Sequence, residues 1–364
     1  MLVVLPSTWG FTSLVASTLR GQPQRVPSTK LFTATAMDGM TETVLNEILW
    51  TPDPVKVEET AMRRLQKQVG VEGDYNDLWK WSVDNSDTFW TTLLDFFEFE
   101  YEGTSVPAKE GTIMPDVKYF PNIKLNFAEN LLRYGRDDSE IKDNEGLVSI
   151  SEAREDKRWT LAELRNDASR VRAALEKLQG IDEHSTVGAY MPNIGETIIA
   201  MLGVTSTGAV WSSCSDDFGP TAVADRFQQI APKVLFTVNG VVSKGKVMSM
   251  KDKIEELCDN LPTVEQVVVV DLIDEKIEWS SERLQKIAMS WDDFLKQGSN
   301  DDGSAPESKF TRVPFTHPQF VLYSSGTTGK PKSIAHGAGN VLMTHAKELI
   351  LHSDLRPKDR MLFF

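Results

Sequence analysis

The amino-acid sequence predicts an α/β fold in which helices cover a mostly parallel sheet. Short apolar segments alternate with segments of helical periodicity between about residues 149 and 270. Residues 267–270 are consecutive valines, a pattern typical of strands that are buried on both faces. Strand–helix–strand repetition with such strands favours a parallel sheet between layers of helices. The length of 364 residues allows one large core or two smaller ones.

Composition narrows the class of protein. Apolar residues make up 40% and charged residues 25% of the chain, as in ordinary globular proteins. No run of about eighteen apolar residues occurs, so no transmembrane helix is predicted. The net charge of -14 argues against a general nucleic-acid or anionic-membrane binder. Cys214 and Cys258 are too few for a disulfide framework or a cysteine zinc site, and we expect both to be buried apolar residues in a reducing compartment, the cytoplasm by default.

The first 36 residues differ from the rest of the chain. They contain no Asp or Glu, three basic residues and many Ser and Thr, a composition similar to that of an organelle transit peptide. The alternatives are a disordered extension or a later start at Met37 or Met40, so localisation in a mitochondrion or another organelle stays open. Residues 37–73 are interpreted as a linker or helical lead-in.

The next segment, residues 74–132, is predicted to form a small helical cap. Apolar residues at 78, 79, 81, 89 and 90 continue through 93–99 at spacings that suit two short amphipathic helices. We expect Ser86 or Asp87 to cap the second helix. The density of aromatic residues indicates core packing.

The remaining elements follow from periodicity and from the residues that begin or end them. Short strands are predicted at 149–150 and 158–159, before a helix that begins with a capping box of Thr160 and Glu163 and ends at Gly180. A polar connection spans 297–309, and a helix capped by Asn340 runs through residue 350 and closes near Pro357. Between these lie predicted strands at 187–191, 208–211, 234–238 and 267–270, and predicted helices at 194–207, 222–230 and 246–258.

The segment 323–332, Tyr-Ser-Ser-Gly-Thr-Thr-Gly-Lys-Pro-Lys, predicts a site for polyphosphate. It lies between two predicted strands, 320–322 and 333–335. Glycines allow close approach of a ligand to the backbone, while hydroxyls, free N–H groups and lysines supply donors and positive charge. It is not a Walker A loop, because two residues separate its glycines and a proline follows the first lysine. The predicted phosphate-binding residues are Ser324, Ser325, Gly326, Thr327, Thr328, Gly329, Lys330 and Lys332.

This decapeptide resembles the signature loop of the acyl-adenylate-forming superfamily of AMP-dependent synthetases and ligases. The segments 190–193, 211–219 and 226–236 are most similar to the acetoacetyl-CoA synthetase branch, and 74–132 resembles the amino-terminal region of acetyl-CoA synthetases. The resemblance implies that 133–364 is an incomplete ligase domain, the large amino-terminal domain of the adenylate-forming fold. The apolar segment 361–364 at the end favours a strand cut in the middle. The resemblance implies that the catalytic lysine, the residues for adenine and ribose, and the acidic magnesium ligand lie beyond it.

The resemblance also implies a function. We expect an ATP-dependent acid–CoA ligase with acetoacetate as the favoured acid, ATP and coenzyme A as co-substrates, and Mg²⁺ near Thr327 and Thr328. In the family, a basic segment near Lys244 and Lys246 meets coenzyme A, although a solvated loop is the competing interpretation of these two lysines. Two further functions stay open: an acetyl-CoA or other short-chain acyl-CoA synthetase, and an inactive truncated fragment with weak nucleotide binding at most.

Overall fold

The computed structural model of the chain describes residues 50–114, 116–178, 180–324, 329–357 and 359–362. The predicted extension, 1–36, and the first part of the predicted lead-in, 37–49, lie outside the described residues. Within the described part, no helix combines the length and the apolar composition needed to cross a lipid bilayer.

The helices are numbered along the described chain. A 3₁₀ turn, Arg133–Gly135, follows the fifth helix, and a π-helical segment, Lys347–His352, continues the last one. The α-helices are α1 (Pro54–Glu58), α2 (Ala61–Gln68), α3 (Tyr75–Asp84), α4 (Ser86–Phe96), α5 (Phe127–Leu132), α6 (Leu161–Lys177), α7 (Gly195–Ser206), α8 (Pro220–Phe227), α9 (Lys251–Asp259), α10 (Glu282–Ile287), α11 (Trp291–Gln297) and α12 (Ala338–Ala346).

The strands are numbered in the same way. They are β1 (Tyr101–Gly103), β2 (Lys109–Glu110), β3 (Lys118–Tyr119), β4 (Ile123–Leu125), β5 (Glu145–Ser151), β6 (Arg154–Thr160), β7 (Thr186–Tyr190), β8 (Val210–Cys214), β9 (Val234–Val238), β10 (Gly240–Ser243), β11 (Lys246–Ser249), β12 (Gln266–Val270), β13 (Ala288–Ser290), β14 (Val313–Pro314), β15 (Pro318–Ser324) and β16 (Lys332–Gly337).

A seven-stranded sheet forms the centre of the described chain, in the order β13-β12-β9-β7-β8-β15-β16. Its neighbouring strands run parallel except for β15 and β16, which form an antiparallel pair. Strand β9 is buried along its whole length and β12 along most of it, because helices cover both faces of a parallel sheet. The predicted α/β fold with a mostly parallel sheet is confirmed.

Helices α6 and α7 pack closely on one another. The predicted capping box begins α6: Thr160 Oγ1 accepts from the N–H of Glu163 at 3.1 Å, and the Glu163 carboxylate accepts from the N–H of Thr160 at 2.7 Å. Every residue of α7 is buried. A Cβ at Gly203 would lie 2.3 Å from Cγ1 of Val171, so glycine is required where the two helices touch.

A buried ion pair joins the β5–β6 hairpin to the start of α7. The Glu196 carboxylate is 2% exposed and binds Arg154 at 2.5 Å and Lys157 at 2.9 Å. Burial alone would raise the pKa of Glu196, but the hydrogen bonds from these two cations outweigh burial and lower it. Glu196 also lies in the first turn of α7, where a negative charge interacts favourably with the helix dipole.

The helical cap forms the two predicted helices, α3 and α4, but its capping differs from the prediction. Asp74 caps α3 with a capping box that includes Asp77. Asn85 rather than Ser86 or Asp87 is the N-cap of α4, because α3 and α4 are separated by that single residue. Aromatic rings pack against each other along the cap, as the composition predicts, with the Phe89 and Trp90 centroids 5.0 Å apart.

Two helix predictions are wrong at their starts. Residues 246–250 form β11 and a turn instead of the first part of a helix, because Lys244 and Gly245 both adopt positive φ, 53° and 73°, and make a tight hairpin between β10 and β11. Helix α12 begins at Ala338, with Gly337 rather than Asn340 as N-cap. The strand predicted at 208–211 lies instead at 210–214, as β8. The strand extends past residue 211 because Ser212 and Ser213 pair with residues of β7.

We predict that Glu196→Gln lowers the free energy of unfolding by about 3 kcal/mol, because it leaves Arg154 buried without a charged partner. The pKa of Glu196 is lower in the folded chain than its ordinary value of 4.5. Its stabilisation is therefore fully present above about pH 4.5 and is lost as the pH falls through the folded pKa. Urea denaturation at several pH values measures both effects.

The control is Glu265→Gln, a charge-to-amide change at an exposed position, which we expect to change stability by less than about 0.5 kcal/mol. Equal stability of the two variants above pH 5 would contradict a stabilising role for the ion pair.

Candidate nucleotide phosphate site

The predicted phosphate segment lies at the end of the antiparallel pair β15–β16. Tyr323 pairs with Ser333 and Ser324 with Lys332, so the two strands hold the segment at both ends. Ser324, Gly329, Lys330 and Lys332 lie in the described part of the chain, while the predicted residues 325–328 lie outside it. The two strands predicted on either side of the segment are confirmed.

The segment lies at the carboxyl edge of the parallel strands. Strand β15 runs parallel to β8, so Ser324 at the end of β15 is on the same edge as the residues after Cys214. Open α/β sheets bind ligands at this edge, just beyond the ends of the strands. The position is therefore suited to a small-molecule site.

Tyr323 anchors the start of the segment. Its hydroxyl donates to the main-chain oxygen of Arg226 at 3.1 Å and lies 3.4 Å from Ser212 Oγ. The pKa of Tyr323 is raised to about 12, mainly by burial. The hydroxyl therefore keeps its proton. The Arg226 guanidinium lies 4.6 Å from the ring centre of Phe218 and 5.8 Å from that of Tyr323, which holds the carboxyl end of α8 against β15.

Helix α8 and the turn after it also contact the end of the segment. Lys330 Nζ lies 3.1 Å from Oδ1 of Asp225, and Gln229 Nε2 donates to the main-chain oxygen of Pro331 at 2.9 Å. Sequence reasoning missed Asp225 and Gln229 as contacts of the segment. The one signal in the sequence was their position on a predicted helix that follows a strand of the same sheet.

The serine-rich segment in and just after β8 is structural in the described chain. Trp211 is a buried core residue, Cys214 is buried as predicted, and burial raises the pKa of the Cys214 thiol to about 12. Ser212 Oγ donates to the main-chain oxygen of Val321 at 2.8 Å and so ties β8 to β15. Ser215 contacts Asp217 in the turn that follows this strand.

An acidic group also lies near this edge. Burial, followed by repulsion from Asp217, raises the pKa of Asp216. Lys253 on α9 donates to the main-chain oxygen of Asp216 at 2.9 Å and thereby fixes the turn.

The lysines predicted to meet coenzyme A are placed on a separate element. Lys244 and Lys246 are exposed at the tip of the β10–β11 hairpin. The N–H of Gly245, between them, donates to the Glu152 carboxylate at 3.0 Å, which holds this hairpin against the β5–β6 turn. Their role in binding coenzyme A stays a prediction.

The two histidines after the segment differ in their environments. His345 packs against Phe127, with ring centres 6.3 Å apart, and burial lowers its pKa. His336 on β16 is half-buried, and its pKa is also lowered by burial. Both are therefore biased towards the neutral imidazole.

The described residues contain no group of three or more His, Cys, Asp or Glu side chains arranged to hold a metal ion. The magnesium contacts predicted for Thr327 and Thr328 lie outside the described residues.

Comparison with known families identifies the domain that carries this segment. The profile of AMP-binding enzymes matches residues 138–364, and the profile of the acetyl-coenzyme A synthetase amino terminus matches residues 75–131. The chain belongs to the AMP-binding enzyme family. The matched region contains the candidate phosphate segment and covers the seven-stranded sheet.

Individual relatives agree with the family. The chain is 36% identical over 343 residues to the acetoacetyl-CoA synthetase of Macaca fascicularis, covering 90% of the chain and 48% of that protein. It is 32% identical over 326 residues to the malonamoyl-CoA synthetase of Penicillium aethiopicum, covering 87% of the chain and 44% of that protein.

A solved structure has the same fold. The acetoacetyl-CoA synthetase of Streptomyces lividans is 35% identical with a TM-score of 0.78, and the match covers 86% of the chain and 47% of that structure. The chain thus spans about half the length of the relatives it matches. The predicted resemblance to the acyl-adenylate-forming superfamily, and to its acetoacetyl-CoA synthetase branch, is confirmed.

We predict that Tyr323→Phe lowers the free energy of unfolding by about 1 kcal/mol, because the change removes the hydrogen bond from the hydroxyl to the main-chain oxygen of Arg226. Urea denaturation measures the change. Tyr75→Phe is the control, since the Tyr75 side chain is largely exposed. If both variants were as stable as the parent chain, the hydroxyl would not anchor the segment.

Proposed function

We propose that this chain contributes the ATP-binding part of an acid–CoA ligase, with acetoacetate as the favoured acid. The observation that carries the proposal is the Ser/Thr/Gly/Lys segment between β15 and β16, in a chain of the AMP-binding enzyme family. The likeness to acetoacetyl-CoA synthetases over most of the chain supports the choice of acid.

The proposed reaction has two steps. An oxygen of the acid's carboxylate attacks the α-phosphorus of ATP, and the bond from that phosphorus to the bridging oxygen breaks, which yields an acyl-adenylate and pyrophosphate. The thiolate of coenzyme A then attacks the acyl carbon and releases AMP, forming the thioester. Negative charge develops on the leaving pyrophosphate, so fixed hydrogen-bond donors and cations beside it lower the barrier.

The residues of the segment supply these groups in the proposed function. Lys330 and Lys332 provide positive charge in a chain whose net charge is -14, where attraction of ATP requires a local excess of cations. Thr327 and Thr328 are proposed to donate to the β- and γ-phosphates, and to lie near the Mg²⁺ that accompanies ATP as part of the substrate. Gly326 and Gly329 allow the phosphates to approach the backbone.

Coenzyme A is the proposed second substrate. Lys244 and Lys246 are exposed at the tip of a hairpin, where their ammonium groups can reach a phosphate of coenzyme A without a cost of burial. The hydrogen bond from Gly245 to Glu152 supports this role by holding the tip in place.

The second candidate function keeps the chemistry and changes the acid. It is favoured by the likeness to a malonamoyl-CoA synthetase at 32% identity. An acetyl-CoA or other short-chain acyl-CoA synthetase is the same kind of candidate. A fragment that binds nucleotide weakly and catalyses nothing is a third hypothesis, supported by the match to about half of each relative.

We predict that Thr328→Ala combined with Lys332→Ala abolishes acid-dependent exchange of pyrophosphate into ATP, because the pyrophosphate loses a hydroxyl donor and a counter-charge. The assay uses the protein at its natural length. Lys276→Ala, at an exposed position in another connection, is the matched control and should keep the parent's activity. Exchange at the parent's rate in the double variant would refute the role of the segment.

We further predict that a panel of carboxylic acids in the same assay gives the highest kcat/KM with acetoacetate. The panel includes acetate, propionate, malonamate and a longer-chain acid. A higher value for another acid would move the proposal to that acid, and the absence of exchange with every acid would favour the non-catalytic hypothesis.

A further inference from the structure

One helix contacts both ends of the candidate phosphate segment. The main-chain oxygen of Arg226, on α8, accepts from the hydroxyl of Tyr323 at the start of the segment. Gln229, just beyond α8, donates to Pro331 at the end of the segment. The start and the end are therefore held against the same short stretch, 225–229.

The Gln229 side chain is itself held in place. Its Nε2 atom donates both to the main-chain oxygen of Asp225, at 2.7 Å, and to that of Pro331, at 2.9 Å. The contact fixes the peptide group that follows Pro331. The proline independently restricts the backbone of Lys330, the residue before it. Gln229 therefore holds the end of the segment next to a residue whose backbone is already restricted.

The ion pair between Lys330 and Asp225 is exposed and can exchange partners. The Lys330 side chain is 74% exposed and that of Asp225 is 35% exposed. Exposed ion pairs are weak, so a polyphosphate carrying several negative charges can replace a single carboxylate. Asp225 cannot follow Lys330 to a ligand, because its main chain lies within α8.

We propose that Gln229 and Asp225 are positioning residues for the phosphate segment. Gln229 holds the end of the segment on α8, and Asp225 is the counter-ion that Lys330 leaves when polyphosphate binds. The inference rests on the proposed function, because it takes ATP or pyrophosphate as the ligand of this segment. The inference adds to the proposed function a resting state, without polyphosphate, in which Asp225 holds the Lys330 ammonium group beside the segment.

The Gln229 part is tested with Gln229→Ala, and Gln228→Ala is its matched control. Gln228 is the glutamine next to Gln229 in the chain. Its side chain donates to the main-chain oxygen of Asn260 and not to the segment. In the protein at its natural length, Gln229→Ala should raise the KM for ATP about fivefold with little change in kcat, as expected for the loss of one neutral hydrogen bond that acts on binding.

Amide hydrogen exchange gives a second readout that needs no ligand. Exchange of the peptide that contains residues 323–332 should become faster in Gln229→Ala and not in Gln228→Ala. Equal KM values and equal exchange for the two variants would overturn the role of Gln229.

The Asp225 part predicts a change in the opposite direction. Asp225→Asn should tighten pyrophosphate binding by up to about fivefold, because Lys330 no longer has to leave a carboxylate. Asp259→Asn, an exposed change at the end of α9, should leave the affinity unchanged. Damage to α8 alone would weaken binding, so the sign of the change separates the two explanations.

A double-mutant cycle makes the test specific to the ion pair. In a Lys330→Met background, Asp225→Asn should lose most of its effect on pyrophosphate affinity. Unchanged or weaker binding in Asp225→Asn, with the parent protein binding normally, would overturn the counter-ion role alone. If the parent protein bound no pyrophosphate and exchanged none into ATP, both the proposed function and the counter-ion role would fail, while amide exchange would still decide the role of Gln229.

Discussion

The antiparallel return of β16 along β15 is the constraint on which the candidate site depends. The strands of the central sheet other than this pair run parallel and deliver their carboxyl ends to one edge. A loop that leaves β15 at this edge and returns directly to the sheet must keep its two ends one ladder spacing apart. Ser324 and Lys332 are paired in the ladder, so their separation is set by backbone hydrogen bonds rather than by side chains.

The second constraint is the contact between β15 and the helix that follows β8. Ser212 bonds to the backbone of β15 from the neighbouring strand, and Tyr323 bonds to the end of α8. Ser212 is buried and Tyr323 is half-buried, and burial is the largest cause that raises the pKa of Tyr323 to about 12. Buried hydroxyls whose hydrogen bonds are satisfied stiffen the region around them, because breaking one exposes an unpaired group to a poorly solvated interior. The start of the segment is therefore tied to the neighbouring strand and helix, while its lysines stay in water.

Much of the fold could be predicted from the sequence because local and global signals agree there. Consecutive valines predicted β12, and Thr160 with Glu163 predicted the start of α6, since each pattern is decided by residues close in the chain. The β10–β11 hairpin could not be predicted in the same way, because a lysine at positive φ is tolerated in its turn only through the pairing on either side. The same reason hides Asp225 and Gln229: their partners lie about a hundred residues away, and nothing in a single helical pattern shows which face meets the segment.

The negative net charge of the chain bears on the role of the ion pair between Lys330 and Asp225. A chain with a net charge of -14 repels polyphosphate at long range, so in the proposed function the lysines of the segment have to overcome that repulsion locally. Placing a carboxylate beside one of these lysines lowers the local positive charge and so weakens the attraction further. In the proposed resting state the carboxylate holds the Lys330 ammonium group in a defined position, so less side-chain entropy remains to be lost when Lys330 changes partner. The ion pair therefore lowers the affinity for polyphosphate while it orders the Lys330 side chain. Because an exposed ion pair has a small energy, the loss of affinity is small and polyphosphate can displace the carboxylate.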